Sequence, residues 1–276
     1  MARLLVNGVR LEVRSAGTGP PLILLHGLTG RGSSWSAHLP ALRRGHRTIV
    51  VDLLGHGRSE APADPARYAV ECQAGDVAAI LARLGHERAD VIGYSMGARI
   101  ALRLAVDHPT TVHRLVLESP SAGIVDPAER AARRARDDLL ADALERDGIA
   151  AFVERWERQP VFASHAALPA PARRRLRHER LANRPAGLAP SLRGGGQGVG
   201  LPLLGRLARV HAPTLVIAGA LDETGRERAA KVAAAMPDAR IAIVPGAGHT
   251  PHLERPAAFR RLVAAFLDAV PGGRPS

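Results

Sequence analysis

The sequence predicts an α/β fold, with a mostly parallel central sheet, helices on both faces and an inserted helical lid. Short apolar runs alternate with helical patterns up to about residue 120 and again after residue 212, which is the signature of strands joined by covering helices. A stretch from Ser121 to His211 breaks that alternation and holds no convincing strand. One buried-looking strand runs through a glycine-flanked turn straight into a helix.

The elements follow in order. Residues 2–15 read as two short strands around Asn7-Gly8, a dipeptide suited to the positive φ angles of a tight hairpin. Pro21–His26, Arg47–Asp52, Ala89–Tyr94, Val112–Leu117, Pro213–Ala218 and Ala239–Val244 are continuous apolar runs, as expected of strands covered on both faces. Helical patterns fall at 33–44, 70–85, 96–107, 226–236 and 256–269. Inside the interruption, 127–147, 149–158 and 169–183 read as helical, and Gly194-Gly-Gly-Gln-Gly198 as a flexible loop. The expected organisation is therefore one core, 1–120 with 212–270, a helical cap at 121–211 and a frayed tail at 271–276.

Composition narrows the class. With 46% hydrophobic and 23% charged residues, the chain is neither disordered nor fibrous. No apolar run is long enough to span a bilayer, and Asn7-Gly8 interrupts any signal-peptide core, so a cytoplasmic protein is expected, with a monomer favoured. Cys72 is the only cysteine, which excludes an internal disulfide framework; it is expected to face the core from the 70–85 helix. No His-Glu-x-x-His or paired-cysteine pattern calls for a metal, and no cofactor is expected. The net charge is +12, and Lys231 is the sole lysine, so 37 of 38 basic residues are arginine. Base composition accounts for much of that bias. Aromatic residues make up only 3%, too few for a stacking nucleic-acid platform, so no specific nucleic-acid partner is expected. An anionic small substrate suits arginine forks better.

Gly93-Tyr-Ser95-Met-Gly97 lies between a strand and a helix, the context of a nucleophile elbow. The turn presents Ser95 at the sheet edge beside the free N–H groups of the next helix. Asp222 follows the strand ending at Ala218, and His249 follows the last strand in Pro245-Gly-Ala-Gly-His249. Serine, aspartate and histidine in that chain order form a catalytic triad in which histidine takes the serine proton and aspartate orients the imidazole. Backbone N–H groups of Leu28 and Met96 are the candidate oxyanion hole. His26 and the Asp52–Ser59 turn read as structural, with Asp52 and Asp90 as surface turn aspartates, and His252 as a neighbour of the triad without a role. Arg99, one helical turn after Ser95, is placed to hold a carboxylate beside it.

These residues resemble the α/β-hydrolase superfamily. His26-Gly-Leu-Thr-Gly30, the Asp52–Ser59 turn and Gly93–Arg99 are similar to one family within it, the menaquinone-pathway lyases known as 2-succinyl-6-hydroxy-2,4-cyclohexadiene-1-carboxylate synthases. Glu129–Arg133, Trp156 with Gln159–Ser164, and Glu179–Gly187 resemble that family's cap segments, and the likeness runs from Leu22 to about Phe266. Ala98 and Glu223-Thr-Gly225 depart from the family pattern. The resemblance implies elimination of pyruvate from a polycarboxylate ring, with Ser95 as base rather than nucleophile. It also implies substrate contacts from Arg133, Arg180, Tyr94 and Trp156. Three other readings stay open: a carboxylesterase or carbon–carbon-bond hydrolase, a catalytically inactive scaffold, and a weak nucleic-acid binder.

Overall fold

The computed structural model describes residues 2–269; the tail expected at 271–276 lies outside them. Eight strands form one sheet: β1 (Ala2–Val6), β2 (Val9–Ala16), β3 (Pro21–Leu25), β4 (Arg47–Val51), β5 (Ala89–Tyr94), β6 (Val112–Glu118), β7 (Thr214–Gly219) and β8 (Ala239–Val244). Their spatial order is β1-β2-β4-β3-β5-β6-β7-β8. β1 pairs antiparallel with β2, and β2 antiparallel with β4; every pairing from β4 to β8 is parallel. All eight strands lie where the apolar runs and the Asn7-Gly8 turn place them.

The covering helices are α1 (Leu39–Leu42), α2 (Val70–Arg83), α3 (Met96–Asp107), α7 (Glu223–Ala234), α8 (Pro251–Glu254) and α9 (Pro256–Leu267). Alternate residues of a strand face opposite sides, and β3 divides accordingly. Ile23 and Leu25 join the core under α2, α3 and α7, with Val77, Ile80, Ile100, Leu104 and Val232. Leu22 and Leu24 join the other core, with Trp35, Phe259 and Val263. The central strand is thus buried on both faces, as its unbroken hydrophobicity requires.

The helix expected over 33–44 is broken into a 3-10 turn, Gly32–Trp35, and the single turn α1. Pro40 is the cause: it has no N–H to donate and its ring obstructs the carbonyl one turn earlier. Cys72 is exposed on α2 rather than core-facing, because Gln73, Ala74 and Val77 fill the buried stripe instead. Asp52 and Asp90 are buried, not surface turn residues.

Between β6 and β7 the chain forms α4 (Pro127–Glu157), a 3-10 segment Pro160–Ala167, α5 (Ala170–Leu181), α6 (Pro185–Gly195) and a 3-10 turn Leu204–Arg209. Gly148, at φ 78°, kinks α4 between the two helical stretches read from the sequence. Leu144, Phe152, Val153, Leu188 and Leu192 give this insertion a small core of its own. Its loop at 194–198 was expected to be flexible, yet Gly194 and Gly195 are buried and end α6. A Cβ at Gly194 would collide with the Pro65 carbonyl, so glycine here permits contact between backbones rather than mobility.

Three of the buried imidazoles carry a pH dependence. Burial lowers His26 to about 4, His38 to about 3 and His56 to about 3. Each is neutral when folded and gains a proton near its ordinary pKa when unfolded, so its stabilising effect is complete above about pH 6.5 and is lost as pH falls toward 4. Urea midpoints measured from pH 7.5 to 4.5 are expected to fall steadily below pH 6.5, and His56→Asn is expected to flatten that slope.

Candidate active site

Ser95 alone makes the turn between β5 and α3, at φ 50° and ψ −106°. That backbone conformation costs a non-glycine residue roughly 1–3 kcal/mol. Gly93 and Gly97 make it possible. A Cβ at Gly93 would strike the Gly97 carbonyl, and one at Gly97 would strike the Leu25 and His26 carbonyls. Strand, turn and helix therefore meet backbone to backbone, and the Ser95 amide donates to the Glu118 carbonyl of β6 at 2.9 Å.

Ser95 Oγ lies 3.1 Å from His249 Nε2, and His249 Nδ1 lies 2.7 Å from Asp222 Oδ2. The other Asp222 oxygen accepts the Gly225 amide at 2.9 Å, so the same side chain caps α7. Burial opposes ionisation of Asp222, but the hydrogen bond and charge of His249 outweigh it and hold the carboxyl below its ordinary value. The three residues predicted as a triad are thus brought into one hydrogen-bonded line. The Ser119 hydroxyl, from a residue at φ 49°, donates to the His249 carbonyl at 2.9 Å.

Met96 is the first residue of α3, where the amide has no intrahelical acceptor. Leu28 follows β3, on a turn pinned by His26: Nδ1–H donates to the Gly27 carbonyl at 2.8 Å and Nε2 accepts the Leu53 amide at 3.0 Å. His26 is thus a structural residue, as read. Asp52 organises the adjoining loop by accepting the Gly32 and Arg58 amides at 2.7 and 2.9 Å.

A cavity of about 240 Å³ opens onto Ser95 and His249, and Leu28, Tyr94, Met96, Arg99, Arg133, Trp156 and Arg228 line it. Arg99 is 9% exposed. Its terminal nitrogens donate to the Gly195 and Gly196 carbonyls at 2.8 and 3.1 Å, and burial, reinforced by the Arg133 charge, lowers it to about 10. Arg133 donates only through Nε, to both oxygens of Asp137 at 2.9 and 3.0 Å, which leaves its terminal fork without a protein acceptor among the described residues. Arg228, the least covered of the three, comes from α7, and partial burial and the Arg133 charge lower it. Trp156 stacks on Phe152 at 5.6 Å and 18°, and its indole nitrogen is buried without a partner.

Arg180 is placed differently. It lines a neighbouring cavity of about 450 Å³ that does not touch Ser95. The two cavities share Leu28, Tyr94 and Phe162 as a common wall. Arg180 lies over the Phe162 ring at 5.0 Å and 3.2 Å from Glu157. Tyr94 packs 5.7 Å from His249 and 4.8 Å from His252, and burial raises its hydroxyl well above the ordinary value. His252 makes no bond to Ser95; its Nδ1 pairs with the buried Glu118 at 2.9 Å.

Arg228 and Asp137 were not singled out from the sequence. Both carry a signal: Asp137 stands one helical turn after Arg133, and Arg228 is on the helix that Asp222 caps. In a chain with 38 basic residues such spacing is common, so it points to neither. Among the described residues no cluster of histidine, cysteine, aspartate and glutamate could hold a metal, and no helix is long and apolar enough to cross a membrane.

The comparisons agree with this geometry. Residues 20–256 match the model of the alpha/beta hydrolase fold family. A Bacillus subtilis (strain 168) protein, provisionally named 2-succinyl-6-hydroxy-2,4-cyclohexadiene-1-carboxylate synthase, is 40% identical over 96% of this chain and 97% of its own. The Serratia proteamaculans (strain 568) protein of that name is 32% identical over 90% and 93%. The solved structure of MenH from S. aureus superposes with a TM-score of 0.89 at 31% identity, covering 93% of this chain and 97% of that one.

If the hydrogen-bonded line is the catalytic unit, Ser95→Ala and His249→Ala are expected to lower kcat by about a thousandfold or more, and Asp222→Asn by a similar factor. Circular dichroism checks that each variant keeps its fold.

Proposed function

The chain belongs to the α/β-hydrolase fold family and, within it, to the 2-succinyl-6-hydroxy-2,4-cyclohexadiene-1-carboxylate synthases; on that premise we propose that it is a lyase. It eliminates pyruvate from 2-succinyl-5-enolpyruvyl-6-hydroxy-3-cyclohexene-1-carboxylate. Insertion 121–211 acts in this reading as a cap over the substrate.

The reaction is a vinylogous elimination. The proton on ring carbon 2 is acidified by the succinyl ketone. Its removal sends an electron pair into a new 2,3 double bond through the enolate, the 3,4 double bond moves to 4,5, and the carbon–oxygen bond at carbon 5 breaks. The departing enolpyruvate takes up a proton and becomes pyruvate. No acyl-enzyme forms. Ser95 removes the proton as an oxyanion, its own proton having passed to His249 at 3.1 Å, and Asp222 stabilises the imidazolium. The Leu28 and Met96 amides receive the enolate oxygen.

The observation that carries the reading is the charge around the serine. Three arginines, 99, 133 and 228, line the Ser95 cavity, and among the described residues Asp137 is the only carboxylate that lines it with them. A substrate with a ring carboxylate, a succinyl carboxylate and an enolpyruvyl carboxylate supplies the missing anions, and arginine forks suit them geometrically. Arg180, in the adjoining cavity, is placed for an arm of the substrate reaching past Phe162 and Tyr94. An esterase for neutral esters has no use for this many cations at its serine.

Purified protein is expected to release pyruvate from the enolpyruvyl substrate, and Ser95→Ala to abolish the release; fast cleavage of a neutral nitrophenyl ester without pyruvate release would instead make Ser95 an acyl-forming nucleophile. Arg228→Ala is expected to raise KM for the polycarboxylate about tenfold, in line with loss of a charge-assisted bond. Ester cleavage by the same variant should change by less than about twofold; equal losses on both substrates would count against carboxylate binding.

A further inference from the structure

Two side chains hold the backbone of the loop that carries His249: Ser119 at the His249 carbonyl and Glu254 at two amides. Glu254, on α8, is 7% exposed. Its Oε2 accepts the Gly248 amide at 2.9 Å, and its Oε1 accepts the Thr250 amide at 3.0 Å. These are the amides of the two residues that flank His249 in the chain. The Thr250 hydroxyl also donates to Oε1, at 2.8 Å. Burial opposes ionisation, yet these donors hold the Glu254 carboxyl below its ordinary value.

The network continues into the insertion. His165 Nε2 lies 2.6 Å from Thr250 Oγ1. The Thr250 hydroxyl already gives its proton to Glu254, so it accepts here, and His165 is the Nε2–H tautomer. Burial lowers His165 to about 4 and keeps it neutral. Ser164 packs flat against Gly248, where a Cβ would collide with its hydroxyl. Phe162 meets the His249 ring edge-on at 6.0 Å.

We propose that Glu254 is the positioning residue of the catalytic histidine: by binding both flanking amides it sets the His249 backbone, and with it the Nε2 to Ser95 Oγ distance. The Asp222 bond at 2.7 Å fixes only the far end of the ring. Rotation of the loop about that end would swing Nε2 away from the serine, and a displacement of about 1 Å there is enough to cost up to about a hundredfold in rate. Glu254 bonds neither Ser95 nor the His249 ring, so its effect on serine activation passes through His249, and a probe too small to need the adjoining cavity it lines reads that effect alone.

The inference rests on the triad role assigned above but not on the substrate, and its test uses a probe that reads Ser95 activation alone. Diisopropyl fluorophosphate phosphorylates an activated serine: the oxygen–phosphorus bond forms, fluoride leaves, and the serine proton goes to the histidine. In Glu254→Gln one of the two amides loses its acceptor while side-chain volume is kept. Labelling followed by intact mass is expected to slow at least about tenfold, and the downfield proton NMR signal of the His249–Asp222 hydrogen bond to broaden or vanish. Glu254→Asp keeps the charge but is too short to reach both amides. Should the glutamine variant not fold, the aspartate variant carries the test, with a loss of about threefold or more expected. Labelling within twofold of the parent, with the downfield signal intact, in a folded variant would overturn the proposal and leave Glu254 a structural residue only. Absence of pyruvate release by the parent enzyme would overturn the proposed reaction and leave this comparison standing.

Discussion

Everything at the site depends on the contact of β5, the serine turn and α3 through bare backbone. Gly93 removes the side-chain carbon that would hold β5 off α3, and Gly97 the one that would strike the Leu25 and His26 carbonyls at the end of β3. That closeness lets Ser95 persist at a positive φ and aims its hydroxyl past the sheet edge toward β7 and β8. The β7–α7 and β8–α8 loops then need only bring Asp222 and His249 to that point. The parallel sheet does so because the carboxyl ends of its strands emerge on one side.

The second organising constraint is charge. The chain carries 38 basic against 26 acidic residues, and many of the arginines are locally paired. Arg193 meets Asp142 and Glu145, and Arg158 meets Glu154. Exposed pairs of this kind contribute little to stability, but they set apart the arginines at the Ser95 cavity. Arg99 is held by two carbonyls and no carboxylate, and Arg133 shares one aspartate through Nε alone. Buried without a carboxylate, Arg99 is a costly cation, and with the open fork of Arg133 beside it the cavity next to Ser95 favours anionic ligands electrostatically.

The insertion links these two features. Its α6 ends on the carbonyls that hold Arg99, its α4 supplies Arg133, Asp137 and Trp156, and its 3-10 segment touches the His249 loop through Phe162, Ser164 and His165. Cations, aromatic wall and histidine loop therefore rest on one packed body with its own small core. A displacement of that body would disturb both the cations that line the Ser95 cavity and the alignment of His249 with Ser95.

By itself the amino-acid order determined the strands, the hairpin, the serine turn and the triad. Each rests on a local pattern: unbroken apolar runs, Asn7-Gly8, two glycines around Ser95, and short motifs after β7 and β8. Local rules also marked Gly148 as the break in α4. They did not reveal α6, because a helix begun at Pro185, carrying Pro190 and ending in glycines reads as loop; its burial against residues 65–68 overrides that propensity. Only the tertiary structure decided which arginines share the serine's cavity. It put Arg228 there with Arg99 and Arg133, and placed Arg180 behind the Phe162 and Tyr94 wall. It alone joined Glu254 to the amides around His249. The reason is physical: periodicity and turn chemistry act over a few residues, whereas the partner of a buried charge is set by segments that meet only after the chain has folded.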